Sequence, residues 1–273
     1  MFKKQTLKIE KRLLSLLPKE NEYPQSLNRA MRYAVLSGGK RIRPILMLGA
    51  CEVVGGNETD VIDAACALEF IHSYSLVHDD LPCMDNDALR RGKPSCHAKF
   101  GEVTALLAGD ALLTLAFSVL SRMSSRKSTS QKLKCLQAME WISDAIGNQG
   151  MVGGQALDME FQKKEPDLAT LEYINTHKSG ALIAVSCRVG AYLGGGTSRQ
   201  VEALYRYGKY VGLLFQIVDD IMDGQGYAKV IGVREAQEKI ASLLAKAKNQ
   251  LSPLGKKARF LETIADFVVT RKN

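Results

Sequence analysis

Apolar residues recur at three- and four-residue spacings along most of this chain, the signature of helices with one face turned to a core. The pattern predicts helices over Leu7 to Leu17, Leu27 to Leu36, Ile45 to Val54, Val61 to Val77, Val103 to Leu120, Leu133 to Gly147, Leu171 to Leu193, Gln200 to Met222 and Arg234 to Leu251. Strict alternation, which would mark strands, is nearly absent. Glycine-rich breaks separate the helices at Ser37-Gly38-Gly39, Gly55-Gly56-Asn57, Arg91-Gly92-Lys93-Pro94, Gly153-Gly154, Gly194-Gly195-Gly196 and Gly224-Gln225-Gly226. No Pro- or Ser-rich linker and no internal repeat interrupts this rhythm. The expectation is an all-α fold, one domain over residues 1–273, larger than a simple four-helix bundle.

Composition narrows the class. With 37 Lys plus Arg against 29 Asp plus Glu, the formal charge is +8, and 46% of the residues are hydrophobic. That is too apolar for an unfolded polyelectrolyte and too charged for a membrane channel. The six cysteines, Cys51, Cys66, Cys83, Cys96, Cys135 and Cys187, form no CxxC pair and read as reduced core thiols of a cytoplasmic protein. The N-terminal segment lacks an unbroken apolar core ahead of a cleavage site, so no secretory signal is expected. Val103 to Leu120 is apolar enough to suggest a membrane span, but Asp110 lies in its middle. A charge is costly in lipid, so a buried helix with one functional or paired carboxylate is expected, and no membrane span.

The carboxylates are unevenly spread. Asp79, Asp80 and Asp85 follow one apolar helical run, and Asp219, Asp220 and Asp223 lie inside another. At spacings of three and four, Asp219, Asp220 and Asp223 share a helix face, with no positive residue close by in sequence. Their flanks are core-like, and an unpartnered buried carboxylate is expensive. A hard cation such as Mg²⁺, held by a few carboxylates and by substrate phosphate oxygens, resolves that conflict. On an ideal helix, Asp79 and Asp85 would be rotated apart by about 240°. Pro82 breaks regularity between them, and a local bulge could bring Asp85 back to the side of Asp79.

Basic residues answer these acids: Lys40, Arg41 and Arg43 after a glycine pair, and Arg90, Arg91 and Lys93 just beyond the first acidic cluster. Guanidinium forks match phosphate oxygens. Two acidic clusters and two basic turns together point to a diphosphate held partly through metal and partly by direct contact. Nucleic acid is not expected, because aromatic residues are not interleaved with these bases and no reader motif is present.

The motifs carry a resemblance. GGKRIRP at Gly38 to Pro44, DDLPCMD at Asp79 to Asp85 followed by RRGKPSCH, GGQALDME at Gly153 to Glu160, HKSGALI at His177 to Ile183 and FQIVDDIMD at Phe215 to Asp223 occur in the order found in one family. The chain resembles the polyprenyl synthetase family of trans-prenyltransferases, most closely its bacterial farnesyl diphosphate synthases. The resemblance implies that Lys40, Arg43, His72 and Arg91 bind isopentenyl diphosphate. It places Arg90, Lys178, Ser179 and Gln216 on the allylic diphosphate. It gives Asp79, Asp85 and Asp219 as principal Mg²⁺ ligands, with Asp80, Asp220 and Asp223 in support. It also implies a homodimer.

The implied reaction needs no side-chain nucleophile. Mg²⁺ and the basic side chains neutralise the leaving diphosphate, the allylic carbon–oxygen bond ionises, the double bond of isopentenyl diphosphate attacks the cation, and loss of a proton to the departing diphosphate completes the new allylic product. Apolar walls, with Leu76, Leu112 and Phe215 as candidates, keep water from trapping the cation. Tyr74 and Ser75, just before Asp79, sit where the family sets product length. A tyrosine about 7.5 Å down the helix from Asp79 would floor the pocket, as in the bacterial farnesyl type. Geranyl or geranylgeranyl product, a noncatalytic partner subunit, and a Mg²⁺-dependent phosphohydrolase are the alternatives. In one place the chain departs from the family. Asp223 runs through Gly224-Gln225-Gly226 straight into Tyr227, without the Gly-Lys loop and later Lys-Ser/Thr turn of the pattern.

Overall fold

The computed structural model describes residues 2–125, 128–162, 164 and 166–271, and these are overwhelmingly helical, as the spacing predicts. The chain divides into two compact units, Met1–Ile45 with Ile62–Cys135, and Leu46–Val61 with Leu136–Asn273. The first unit carries α1 (Lys3–Leu16), α2 (Gln25–Leu36), the start of α3 (Ile42–Val53), α4 (Ile62–Asp79), α5 (Cys96–Phe100), α6 (Glu102–Arg122) and the start of α7 (Thr129–Ile146). The second takes the rest of α3 and α7, then α8 (Met151–Phe161), α9 (Leu168–Ile174), α10 (Ala181–Leu193), α11 (Ser198–Asp223), α12 (Tyr227–Val230), α13 (Val233–Leu251) and α14 (Arg259–Thr270).

In the first unit α4 is the central helix. Ala64 through Ile71 are all buried, so the helix is apolar on every side. The one charge in that stretch, Glu69, is paired with Arg41 at 2.6 Å. Arg41 also donates to the Val35 carbonyl at 2.7 Å. This buried pair pins the turn from α2 into α3 and withdraws Arg41 from the basic face read in the sequence. Helix α6 packs on α4, with Gly109 against the His78 ring. The helix is less buried than expected: its carboxylate Asp110 is exposed, with His78 Nε2 3.8 Å away. By length and composition α6 could cross a membrane, yet 39% of its apolar window is buried in the fold.

In the second unit α10 and α11 form the central pair. A capping box starts α11: Thr197 Oγ1 accepts from the Gln200 N–H at 3.3 Å, and Gln200 Oε1 accepts from the Thr197 N–H at 2.9 Å. Gly224 ends the helix in the left-handed conformation (φ 63°). The buried Tyr207 hydroxyl donates to the Leu261 carbonyl at 2.6 Å and ties α11 to α14. Two expectations fail here. Gly153-Gly154 does not end a helix but lies inside α8, and α14 falls outside the predicted segments. The α8 glycines serve packing: a Cβ on Gly154 would overlap the Lys178 backbone nitrogen, so its absence lets α8 approach the next segment. That segment, Asn175–Gly180, is a π-helical turn between α9 and α10.

Candidate active site

In the first unit, three of the residues predicted to bind diphosphate share one electrostatic environment. Burial pushes Arg43 down to about 10, and Arg91 adds to the effect. The Arg43 Nε is buried without a hydrogen-bond partner among the described residues. His72 is held well below its ordinary value, first by burial and then by Arg43, Arg91, Arg41 and Arg90. It is therefore a neutral imidazole among guanidinium groups. Arg91 occupies the left-handed region (φ 55°) in the turn of a two-residue hairpin, Leu89–Arg90 against Lys93–Pro94. Its guanidinium donates to the Gly38 carbonyl, and a Cβ on Gly39 would meet that same group at 2.7 Å. The glycine pair of GGKRIRP thus makes room for an arginine. Lys40 is exposed beside it. Clustered cations whose charge is opposed by burial and by one another are what an anion relieves.

The first acidic cluster behaves as Pro82 implied. The Asp85 N–H donates to the Asp79 carbonyl at 2.9 Å, so the chain turns back on itself and the two residues adjoin. Asp80 takes a different course. It is buried, accepts from Arg90 Nε at 2.9 Å and from Arg90 Nη2, and its carboxyl is still raised by burial despite that cation. Asp80 and Arg90, predicted to support metal and to face the allylic diphosphate, are bound to each other here.

The second acidic cluster has the partners that its sequence neighbourhood lacks. Asp219 accepts from Arg271 Nη2 at 2.5 Å. Arg271 also donates to the Phe215 carbonyl at 2.9 Å and lies 3.5 Å over the Phe215 ring. That covers one face of a residue proposed as an apolar wall. Asp220 accepts from the Tyr227 N–H at 3.0 Å and from Asn175 Nδ2 at 3.5 Å, and it is raised by burial and by Asp219 and Asp223. The short Gly224–Gly226 connection makes that bond possible. Gly226 sits at φ 46°, and a Cβ there would overlap the Asp220 carboxylate. Asp223 is exposed on the last turn of α11.

Elsewhere in this unit Lys178 pairs with Asp158 Oδ2 at 2.5 Å, while Ser179 and Gln216 are half-buried. The sequence reading passed over Gln155, Asp158, Asn175 and Arg271. Both amide atoms of Gln155 are buried with no partner among the described residues. Gln155 and Asp158, three apart on α8, lie in the GGQALDME motif, and their spacing places them on one helix face. Arg271 carried no local signal.

In α4, Tyr74 is 7% exposed, sets its ring edge-on to His78 at 5.7 Å, and is raised to about 12 by burial and by Asp79. Ser75 Oγ donates back to the His72 carbonyl at 3.0 Å. Leu112 is fully buried and Leu76 half-buried. Among the described residues no three His, Cys, Asp or Glu side chains converge as a closed metal site. The donor chemistry nonetheless suits Mg²⁺, which takes one or two carboxylates and leaves its remaining positions to water and phosphate oxygens.

A family model described as polyprenyl synthetase matches residues 24–264. The chain is 46% identical over 226 residues to geranylgeranyl pyrophosphate synthase 4 of Arabidopsis thaliana, covering 81% of this chain and 59% of that protein. It is 43% identical to the chloroplastic geranylgeranyl pyrophosphate synthase of Capsicum annuum, covering 92% and 73%. Among solved structures, an FPP/GFPP synthase from Zymomonas mobilis is similar with TM-score 0.92 at 36% identity, covering 99% of this chain and 98% of that one. A geranyltransferase from Legionella pneumophila gives TM-score 0.92 at 36% identity, covering 100% and 96%.

Proposed function

The chain belongs to the polyprenyl synthetase family, and from that premise we propose that it condenses isopentenyl diphosphate with an allylic diphosphate, dimethylallyl or geranyl, to give farnesyl diphosphate. Lys40, Arg43, His72 and Arg91 bind isopentenyl diphosphate in this reading. The neutral His72 supports it, because an imidazole can donate to a phosphate oxygen without adding a further charge to the arginines around it. Lys178, Ser179 and Gln216, with Arg90 once released from Asp80, receive the leaving diphosphate. Mg²⁺, held by Asp79, Asp85 and Asp219 with Asp80, Asp220 and Asp223 in support, supplies neutralisation of diphosphate charge when bound. The Gln216 amide and the Ser179 hydroxyl are weak dipoles that can stabilise an allylic cation without capturing it. Two copies of the chain associate in this reading, through the exposed apolar face of α6.

Tyr74 carries the choice of product: a buried ring in α4, five residues before Asp79, is suited to stop a growing tail. Chromatography of the products made from isopentenyl diphosphate, geranyl diphosphate and Mg²⁺ tests it. The wild type is expected to stop at C15, and Tyr74→Ala to extend to C20 or beyond. An unchanged length in the variant would remove the argument. A geranylgeranyl product is the second reading, favoured by the relatives of that name at 46% and 43% identity, and a C20 wild-type product selects it. Phosphate release without elongation would mark a hydrolase, and neither activity a noncatalytic subunit.

A further inference from the structure

A cavity of about 700 Å³ within the second unit lies among α7, the π-helical turn, α10 and α11, and includes none of the residues assigned above to substrate or metal. Its walls carry two cations, Arg188 and Lys209, with His177, Asn148 and one opposing carboxylate, Asp144. The Arg188 guanidinium carbon lies over two aromatic rings, 3.7 Å from the Trp141 centroid and 4.9 Å from that of Tyr205. Lys209 lies 5.2 Å from the same Tyr205 ring. Among the described residues no carboxylate lies within ion-pair distance of either cation, and no acceptor takes the Arg188 N–H groups. The ring contacts hold the guanidinium in place while its N–H donors stay uncommitted among the described residues.

Other features favour an anion as well. His177 Nδ1 is bonded to the Tyr173 carbonyl at 2.7 Å, and its ring stacks on Tyr173 at 3.9 Å, so the imidazole is fixed while Nε2 has no partner among the described residues. The break Gly147–Gly150 on the cavity wall leads directly into α8, whose positive dipole end starts at Met151. The volume is in the range of small-molecule sites and far exceeds a bare phosphate. We propose that this cavity is a second ligand site, which takes a phosphorylated small molecule through Arg188 and Lys209. The cavity borders the π-helical turn that carries Lys178 and Ser179, because Thr176, His177 and Gly180 line it. A ligand there touches the back of the turn on which two predicted substrate residues stand.

Trp141 is the only tryptophan in the chain, so its fluorescence reads this cavity alone. Inorganic phosphate and inorganic diphosphate are titrated in separate arms into the full chain, with metal chelated, while Trp141 emission is followed. A saturable change is expected with at least one probe. Lys209→Gln, at an exposed position, should weaken it by roughly tenfold. Arg188→Gln, checked for fold by circular dichroism, should abolish it. Lys40→Gln, a change in the other unit, should leave it unaltered. No saturable change across the millimolar range would overturn the proposal. So would a response that survives Arg188→Gln and Lys209→Gln together, or one lost with Lys40→Gln.

Discussion

His72 shows how a single group couples the site to stability. Its imidazole is depressed in the fold by burial and by four arginines, whereas in the unfolded chain it takes a proton near the ordinary value of about 6.5. Below that pH the unfolded state binds a proton that the native state refuses. His72 therefore contributes stability above about pH 6.5 and loses it as the pH falls. Urea unfolding should show a slope of at most about 1.4 kcal/mol per pH unit from this group between pH 6.5 and 5, and His72→Gln should flatten it. The pair Arg271–Asp219 makes a second test, since Arg271 is almost wholly buried and Asp219 is one-third exposed. Asp219→Ala should cost roughly 1–3 kcal/mol, because the buried guanidinium loses its counter-charge and keeps the Phe215 carbonyl and ring. Combining it with Arg271→Ala should cost less than the sum of the two single changes, read as coupling in a double-mutant cycle. The aspartates were legible because their spacing is local and Pro82 announces the turn between Asp79 and Asp85. The partner of Asp219 was not, since a residue 52 positions away leaves no trace in a helical period.

At the level of elements, periodicity predicts helices well where burial is one-sided and local, and fails where two backbones meet. In isolation Gly153-Gly154 reads as a stop. In the fold, Gly154 is the point at which α8 touches the π-helical turn, so the missing side chain is a packing requirement of a neighbour that the sequence does not place nearby. Gly154→Ala should push α8 off the Lys178 backbone, stretch the Lys178–Asp158 pair and destabilise the chain by about 1–3 kcal/mol. The calorimetric midpoint should fall, and any prenyl transfer should fall with it. If the variant keeps both, the close approach is not what constrains the site. The turn after α11 was legible only as a shortened connection. Its consequence, the capture of the Asp220 carboxylate by the Tyr227 N–H, depends on Gly226 at positive φ, and no spacing rule reveals that.

For the whole molecule, the surface with most apolar exposure to account for is that of α6. Val103, Leu106 and Leu107 are 73%, 46% and 50% exposed, and with Asp110 they follow the i, i+3, i+4, i+7 spacing of one helix face. A folded chain seldom leaves such a stripe to water, and burying it is worth about 25 cal/mol per Å². A second copy can cover it by a two-fold contact in which the same stripe meets itself, so every apolar residue buried counts twice. The same symmetry doubles the penalty of a charge. Leu107→Glu would place two carboxylates in the contact near both copies of Asp110, and should weaken association by at least tenfold, about 1.4 kcal/mol. Sedimentation velocity at micromolar concentration should show a dimer for the wild type and a shift towards monomer for Leu107→Glu, with the helical circular dichroism unchanged. A wild-type chain that sediments as a monomer, or a variant as dimeric as its parent, would mean that this face has another role.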